Sequence, residues 1–188
     1  MKARFLIPIG LIASLSVLGL AACQAVAPAP GASSSAGSGS SSGAVLPVDS
    51  NPIVNASTAP GLTITAAAED NVDPVTNAPI DDRLQVTLQN DTSQALGSLE
   101  IYYVMTDVTT GQSEAYYQAL TGLSLAPNST TTISFDGESG PGHYPENAFS
   151  IYRSSKNQVD FTIEVSAAGV QIAHATATLG TGAGDAAD

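Results

Sequence analysis

The sequence predicts an all-β fold, an antiparallel β-sandwich of about seven short strands, and three observations carry that prediction. From Gly61 onward, apolar and polar residues alternate in runs of four to eight, the period of a strand with one buried face. These runs are rich in Thr, Val, Ile and Tyr, which suit a pleated surface, and clusters of Gly, Asn, Asp, Ser and Pro separate them. Beyond residue 22, no stretch has the 3.6-residue apolar period of an amphipathic helix.

The elements follow in order. Leu62 to Thr65 is the first strand. Leu84 to Leu88 alternates and ends at the turn cluster Asn90-Asp91-Thr92-Ser93. Leu99, Ile101, Tyr103 and Met105 share one face of a third strand, with Glu100, Tyr102 and Val104 on the other. Thr109-Thr110-Gly111 suits a three-residue hairpin loop that pairs Val108 with Gln112. That register sets Tyr103 opposite Tyr117 as an inward pair. It turns Tyr102, Tyr116 and Gln118 outward on one sheet face, which is either a candidate partner-binding surface, since tyrosine offers contact area at low entropic cost, or a face that packs under the long Gly137–Ser155 segment. Ile133 and Phe135 lie in a further strand after Pro127-Asn128. Val159, Phe161, Ile163 and Val165 alternate with Asp160, Thr162, Glu164 and Ser166, and Ala168-Gly169 turns the chain into a closing strand from Val170 to His174. A core of this size holds a domain without a disulfide.

Asn90-Asp91-Thr92-Ser93, Leu99-Glu100-Ile101 and Leu125-Ala126-Pro127-Asn128-Ser129 ahead of Ile133-Ser134-Phe135 together resemble bacterial immunoglobulin-like modules of the CARDB and FxLYD type. The resemblance covers about residues 84–136. It implies an immunoglobulin-like sandwich that serves as a spacer or binding platform rather than an enzyme. Asn128 stands where such modules commonly carry glycine, a small cost because asparagine tolerates positive φ.

The N-terminus answers a separate question, that of location. Lys2 and Arg4 precede an uncharged run of 16 residues, Phe5 to Leu20. A helix needs about 20 residues to span a bilayer, so this pattern predicts a secretory signal peptide. Leu20-Ala21-Ala22-Cys23 then resembles the lipobox of bacterial lipoproteins. The resemblance implies cleavage before Cys23 and attachment of diacylglyceryl, with palmitate-type chains, to its thiol. Each buried CH₂ contributes about 0.8 kcal/mol, so two chains hold where one barely does. Cys23 is the only cysteine, and lipidation explains a lone thiol in an exported protein.

Four segments follow: a signal peptide over 1–22, a lipidated cysteine with a Ser/Gly/Ala/Pro tether over 23–58, a β-sandwich over 59–180, and a disordered tail over 181–188. A chain of the tether's composition cannot bury enough surface to offset its ordering entropy and spans roughly 30–35 Å. Gly39-Ser40-Ser41-Ser42-Gly43 matches a nucleophile elbow in letters only, since the elbow needs a strand before it and a helix after it.

Charge narrows the partners. Seventeen acidic side chains face five basic ones, of which only Arg83, Arg153 and Lys156 lie beyond residue 4. Such a surface repels phosphate backbones and anionic headgroups, so nucleic acid is excluded as a partner and the membrane is reached through Cys23 alone.

Chemistry is sparse. His174, in phase with Val170 and Ile172, is expected as a half-buried strand residue. The loop Asp136 to Glu146 holds Asp136, Glu138, Ser139, His143 and Glu146. A triad there would need a rigid scaffold and an oxyanion hole that a Gly/Pro-rich loop does not announce. As metal ligands, Asp136, Glu138, His143 and Glu146 match no recognised spacing, so no metal or other cofactor is assigned. The acidic stretch Glu69 to Asp73 with Asp81-Asp82 is the better calcium candidate on ligand type and the simpler solvated loop on composition. Met105 is a core residue, which argues against a copper chaperone, and the three Asn-x-Ser/Thr sequons at Asn55, Asn90 and Asn128 carry no weight behind a bacterial lipobox.

The expected function is a non-enzymatic, lipid-anchored β-sandwich on the extracytoplasmic side of the cell membrane. It would bind or support an envelope protein or polysaccharide. The alternative is a calcium- or small-solute-binding lipoprotein.

Overall fold

The computed structural model describes residues 45–72 and 79–181. The signal peptide, Cys23, the start of the tether, the side chains of Asp70, Asp73, Asp81 and Asp82, and the tail from residue 182 lie outside the described residues.

Among the described residues, eight strands form: β1 Leu62–Val72, β2 Pro79–Asn90, β3 Glu100–Asp107, β4 Ser113–Ala119, β5 Thr130–Phe135, β6 His143–Tyr144, β7 Val159–Ser166 and β8 Ala173–Leu179, with a single-turn helix, α1, at Ile151–Ser154. They make a sandwich of two four-stranded sheets, ordered β1-β2-β5-β6 and β4-β3-β7-β8. All pairings are antiparallel except β5 with β6.

The predicted alternation becomes the core directly. On β3, Ile101, Tyr103 and Met105 are buried, and on β7 Val159, Phe161, Ile163 and Val165 face the same way. Across the sandwich they meet Leu62, Ile64, Leu84, Val86, Leu88, Ile133 and Phe135 from the first sheet. Buried aliphatic and aromatic side chains of this kind contribute about 1.5–3 kcal/mol each. The residues from Asp136 to Gln158, which link β5 to β7, add Ile151 and Tyr152 to this core. Tyr152 packs edge-on against Phe161, with ring centroids 5.2 Å apart.

The two motif halves singled out in the sequence meet in space. The Asn90 side chain is fully buried; its Nδ2 donates to the carbonyls of Gln94, Leu125 and Ala126, and its Oδ1 accepts from Thr92. The Asn90 amide bonds the Ser129 carbonyl, and Asn128 sits at φ 51°, the left-handed region that asparagine tolerates.

Three expectations are corrected. Asp107 rather than Val108 bonds Gln112, which leaves four residues and not three in the β3–β4 turn, so Tyr103 pairs with Tyr116 and Tyr102 with Tyr117. The reason is Asp107. Its Oδ1 accepts from the amides of Thr109 and Thr110, and its backbone oxygen accepts from Gly111, which closes a longer turn stabilised by the side chain itself. Tyr116, expected outward, is therefore fully buried, and Tyr117 is only half-buried. The closing strand is Ala173–Leu179 rather than Val170 to His174; Ala173, Ala177 and Leu179 face inward and His174 is exposed. Finally, residues 45–58 are not free tether but lie against the second sheet.

Candidate functional site

The candidate sites are the outer face of the β4-β3-β7-β8 sheet and the loop after β5.

The outer face carries Tyr102 and Tyr117 side by side on paired strands, with the Tyr117 hydroxyl donating to Glu100 at 2.9 Å. Partial burial, followed by the Glu100 carboxylate, raises the Tyr117 hydroxyl's pKa. Tyr102, Tyr116 and Gln118 were grouped by the sequence on one face, and the structure separates them. Tyr116 points into the core, where its hydroxyl donates to Glu114 at 2.7 Å and accepts from Asn147 at 2.9 Å. Burial, then the Glu114 carboxylate, pushes that hydroxyl well above the usual phenol range. Gln118 bonds the Pro145 carbonyl. Residues 145–151 thus cover this side of β4, and only Tyr102 remains on the outer face.

A strap formed by Val45 to Pro60 crosses that outer face. The Val48 amide donates to the Ala115 carbonyl of edge strand β4, and Asn51 Nδ2 donates to Glu164 of β7 at 2.6 Å. Asn55 Nδ2 reaches Ser166 Oγ, the Ala167 carbonyl and the Val170 carbonyl at 3.0, 3.3 and 2.9 Å. Because β3 lies between β4 and β7, the strap passes over β3. It also pairs the exposed backbone edge of β4, the kind of edge proteins commonly cover. Its signal was present in the sequence as two Asx turns, Asn51 to Ile53 and Asn55 to Ser57, inside a stretch read by composition alone.

The loop after β5 is built by sheet register. Asp136 directly follows β5, and β6 pairs Ser134 with His143, so the two residues are fixed beside each other. His143 Nδ1 lies 2.9 Å from Asp136 Oδ2 and 3.1 Å from Oδ1. The Asp136 side chain is only 4% exposed and also accepts from the Glu138 amide, while Gly137 turns the backbone between them at φ 70°. Glu138 Oε2 approaches the same His143 nitrogen at 3.8 Å, and the three donor atoms all lie within 4.8 Å of one another. Glu146 does not join them: it forms an ion pair with Arg153 beneath the core tyrosines, where its charge, after burial, helps raise the Tyr103 pKa. Ser139 is exposed and forms no hydrogen bond with His143 among the described residues. A shallow cleft lined by Thr121, Leu123, Pro141 and Tyr144 opens beside His143.

His174 is exposed on β8, 3.8 Å from Glu164. Of the acidic stretch named as a calcium candidate, Glu69 pairs with Arg83 at 3.6 Å across β1 and β2. Among the described residues, no helix is long and apolar enough to cross a membrane.

No family model matches the chain, and no curated protein does. Solved structures similar in chain path include structural-genomics target SoR45, at 12% identity and TM-score 0.41 over 66% of this chain and 90% of that one. Another is a structural-genomics protein from Bordetella pertussis assigned the name ApaA, at 15% identity and TM-score 0.39 over 66% and 97%. The sporulation control protein Spo0M of Bacillus subtilis matches at 8% identity and TM-score 0.34; the match covers 64% of this chain and 49% of Spo0M.

Proposed function

We propose that this chain is a bacterial lipoprotein whose immunoglobulin-like sandwich, of the CARDB/FxLYD kind, acts as a non-catalytic binding or structural module on the outer side of the cell membrane. The observation that carries the reading is Leu20-Ala21-Ala22-Cys23 placed directly behind a basic start and a 16-residue apolar run. The acidic surface supports it, because charge alone would repel anionic headgroups and leave acylation as the means of attachment. In this reading, Cys23 holds the lipid, and 21 residues of mainly Ala, Ser, Gly and Pro separate it from Val45, where the strap begins. Tyr102 and Tyr117, rather than Tyr102 with Tyr116, are the aromatic pair on the outer face, and an envelope protein or polysaccharide would meet only the half of each that stays exposed on the face the strap crosses.

Cys23→Ser tests the anchor. The wild-type protein should enter the detergent phase of a Triton X-114 separation and the variant the aqueous phase, with unchanged near-ultraviolet tyrosine signals. Detergent partitioning of the variant would remove the lipoprotein reading.

A further inference from the structure

We propose that Asp136, Glu138 and His143 form a binding site for a first-row divalent cation of the Zn²⁺ type. The first support is the donor set. One imidazole nitrogen and two carboxylates face one another across 2.9 Å (His143 Nδ1 to Asp136 Oδ2) and 3.8 Å (His143 Nδ1 to Glu138 Oε2). Those separations bracket the edge of about 3.3 Å expected for a tetrahedron with legs of about 2.05 Å. A small shift of the Glu138 side chain, which is exposed and free to move, completes a three-donor face.

The second support is independent of that geometry and concerns charge. The Asp136 carboxylate is nearly buried, and no lysine or arginine among the described residues pairs with it or with Glu138. A buried carboxylate normally takes a cationic partner or a metal. Here the His143 imidazole is the one basic group beside the nearly buried Asp136, and with the exposed, solvated Glu138 the cluster stays net negative even when the ring is protonated. A divalent cation balances both carboxylates and needs only the neutral ring. Binding therefore requires the His143 tautomer with its proton on Nε2, so that the Nδ1 lone pair faces the ion; a neutral ring protonated on Nδ1 exchanges that proton for one on Nε2 with no net release, and a doubly protonated ring releases one to solvent.

The third support is preorganisation. Asp136 and His143 are held by β5–β6 backbone pairing, with the Ser134 amide bonded to the Gly142 carbonyl at 2.8 Å, so two of the three ligands are ordered before any ion arrives. The imidazole argues against Ca²⁺, which takes six to eight oxygen ligands. With three protein donors, a fourth position is left to water or to a bound anion, as in open zinc sites. The site lies within the folded module and does not depend on the lipid anchor, so either proposal can fail without the other.

Titration of the full-length protein in detergent with Zn²⁺ alone tests the site. Wild type should bind one equivalent with micromolar affinity, and Co²⁺ in its place should give the visible absorption of a low-coordinate centre. Glu138→Gln, an exposed change that spares the fold, removes a direct ligand and should weaken binding by more than about 10-fold, as should His143→Ala. His174→Ala should bind as wild type, and a large excess of Ca²⁺ should not displace Zn²⁺. Absence of saturable Zn²⁺ binding, or wild-type affinity in Glu138→Gln, would overturn the proposal. So would displacement by Ca²⁺, or loss of binding in His174→Ala.

Discussion

Tyr103 and Tyr116 stack across the β3–β4 pair, with ring centroids 5.4 Å apart and planes inclined by 23°. Tyr103 also meets Phe135 of the opposite sheet at 5.6 Å, and Phe135 meets Tyr144 at 5.7 Å. A continuous aromatic row therefore crosses the sandwich from edge strand β4 to β6. It joins the covered side of β4 to the strand that carries His143.

That row sets the first prediction. Tyr116→Ala should open a core cavity and cost roughly 3–5 kcal/mol, the range for large aromatic truncations. Tyr117→Ala, one residue later on the same strand, should cost about 1 kcal/mol or less, because its ring lies on the half-exposed face. Urea melts of the two variants decide the register. A larger loss at Tyr117 than at Tyr116 would mean that the four-residue loop is wrong.

How much of this was legible in the sequence depends on what decides each feature. β3 and β7 are visible because hydrophobic alternation fixes which side of a strand is buried, and the alternation runs the whole length of Val159–Ser166. The β3–β4 register is not, because it turns on Asp107, a side chain that folds back on its own loop and adds one residue to it. One residue suffices to reverse every side chain on β4. The strap is hidden for a different reason. Asn55 finds its partners 111 to 115 residues away, and composition carries no trace of contacts at that distance. The grouping of Asp136, Glu138 and His143 was visible as a list of ligand types. The departure of Glu146 to Arg153 was not, since it depends on how residues 145–153 pack onto the core.

Asp107 yields a prediction about pH. Its buried carboxylate accepts from Ser155 Oγ at 2.6 Å, from Asn157 Nδ2 and from the Thr110 amide, and these bonds, the Ser155 hydroxyl first, hold its pKa well below the usual carboxylate range. A carboxylate with a depressed folded-state pKa contributes stability that is fully present above its unfolded value, about 3.9, and is lost as pH falls toward the folded value. Asp107→Asn should therefore be less stable than wild type at neutral pH, with the gap narrowing below about pH 4, where wild type sheds this contribution. Urea midpoints followed from pH 7 to pH 2 measure it. A gap that stays constant across that range would show that the Asp107 charge is not what the loop requires.

The strap should open without unfolding the sandwich, and Asn55 is the residue that decides this. Its amide holds the β7–β8 turn through Ser166, Ala167 and Val170, while its Oδ1 accepts from the Ser57 amide at 2.8 Å. Asn55→Ala removes all four bonds and leaves part-buried carbonyls without a donor, a loss of roughly 1–3 kcal/mol per unpaired group. The strap contributes few apolar side chains to the core, so the loss should appear as local opening rather than as a lower global stability. Hydrogen exchange should quicken at the Val48 amide, bonded to Ala115, and at the Gln171 amide, bonded to Ala59, while the Ile163 amide in the centre of β7 keeps its wild-type protection. Asn51→Ala serves as the comparison, because its bonds to Glu164 and from the Ile53 amide are both solvent-exposed and their loss should change stability by no more than about 0.5 kcal/mol. If Asn55→Ala instead lowers protection equally at Ile163, the strap belongs to the cooperative core. If it changes no amide at all, the three Asn55 contacts do not hold the strap in place.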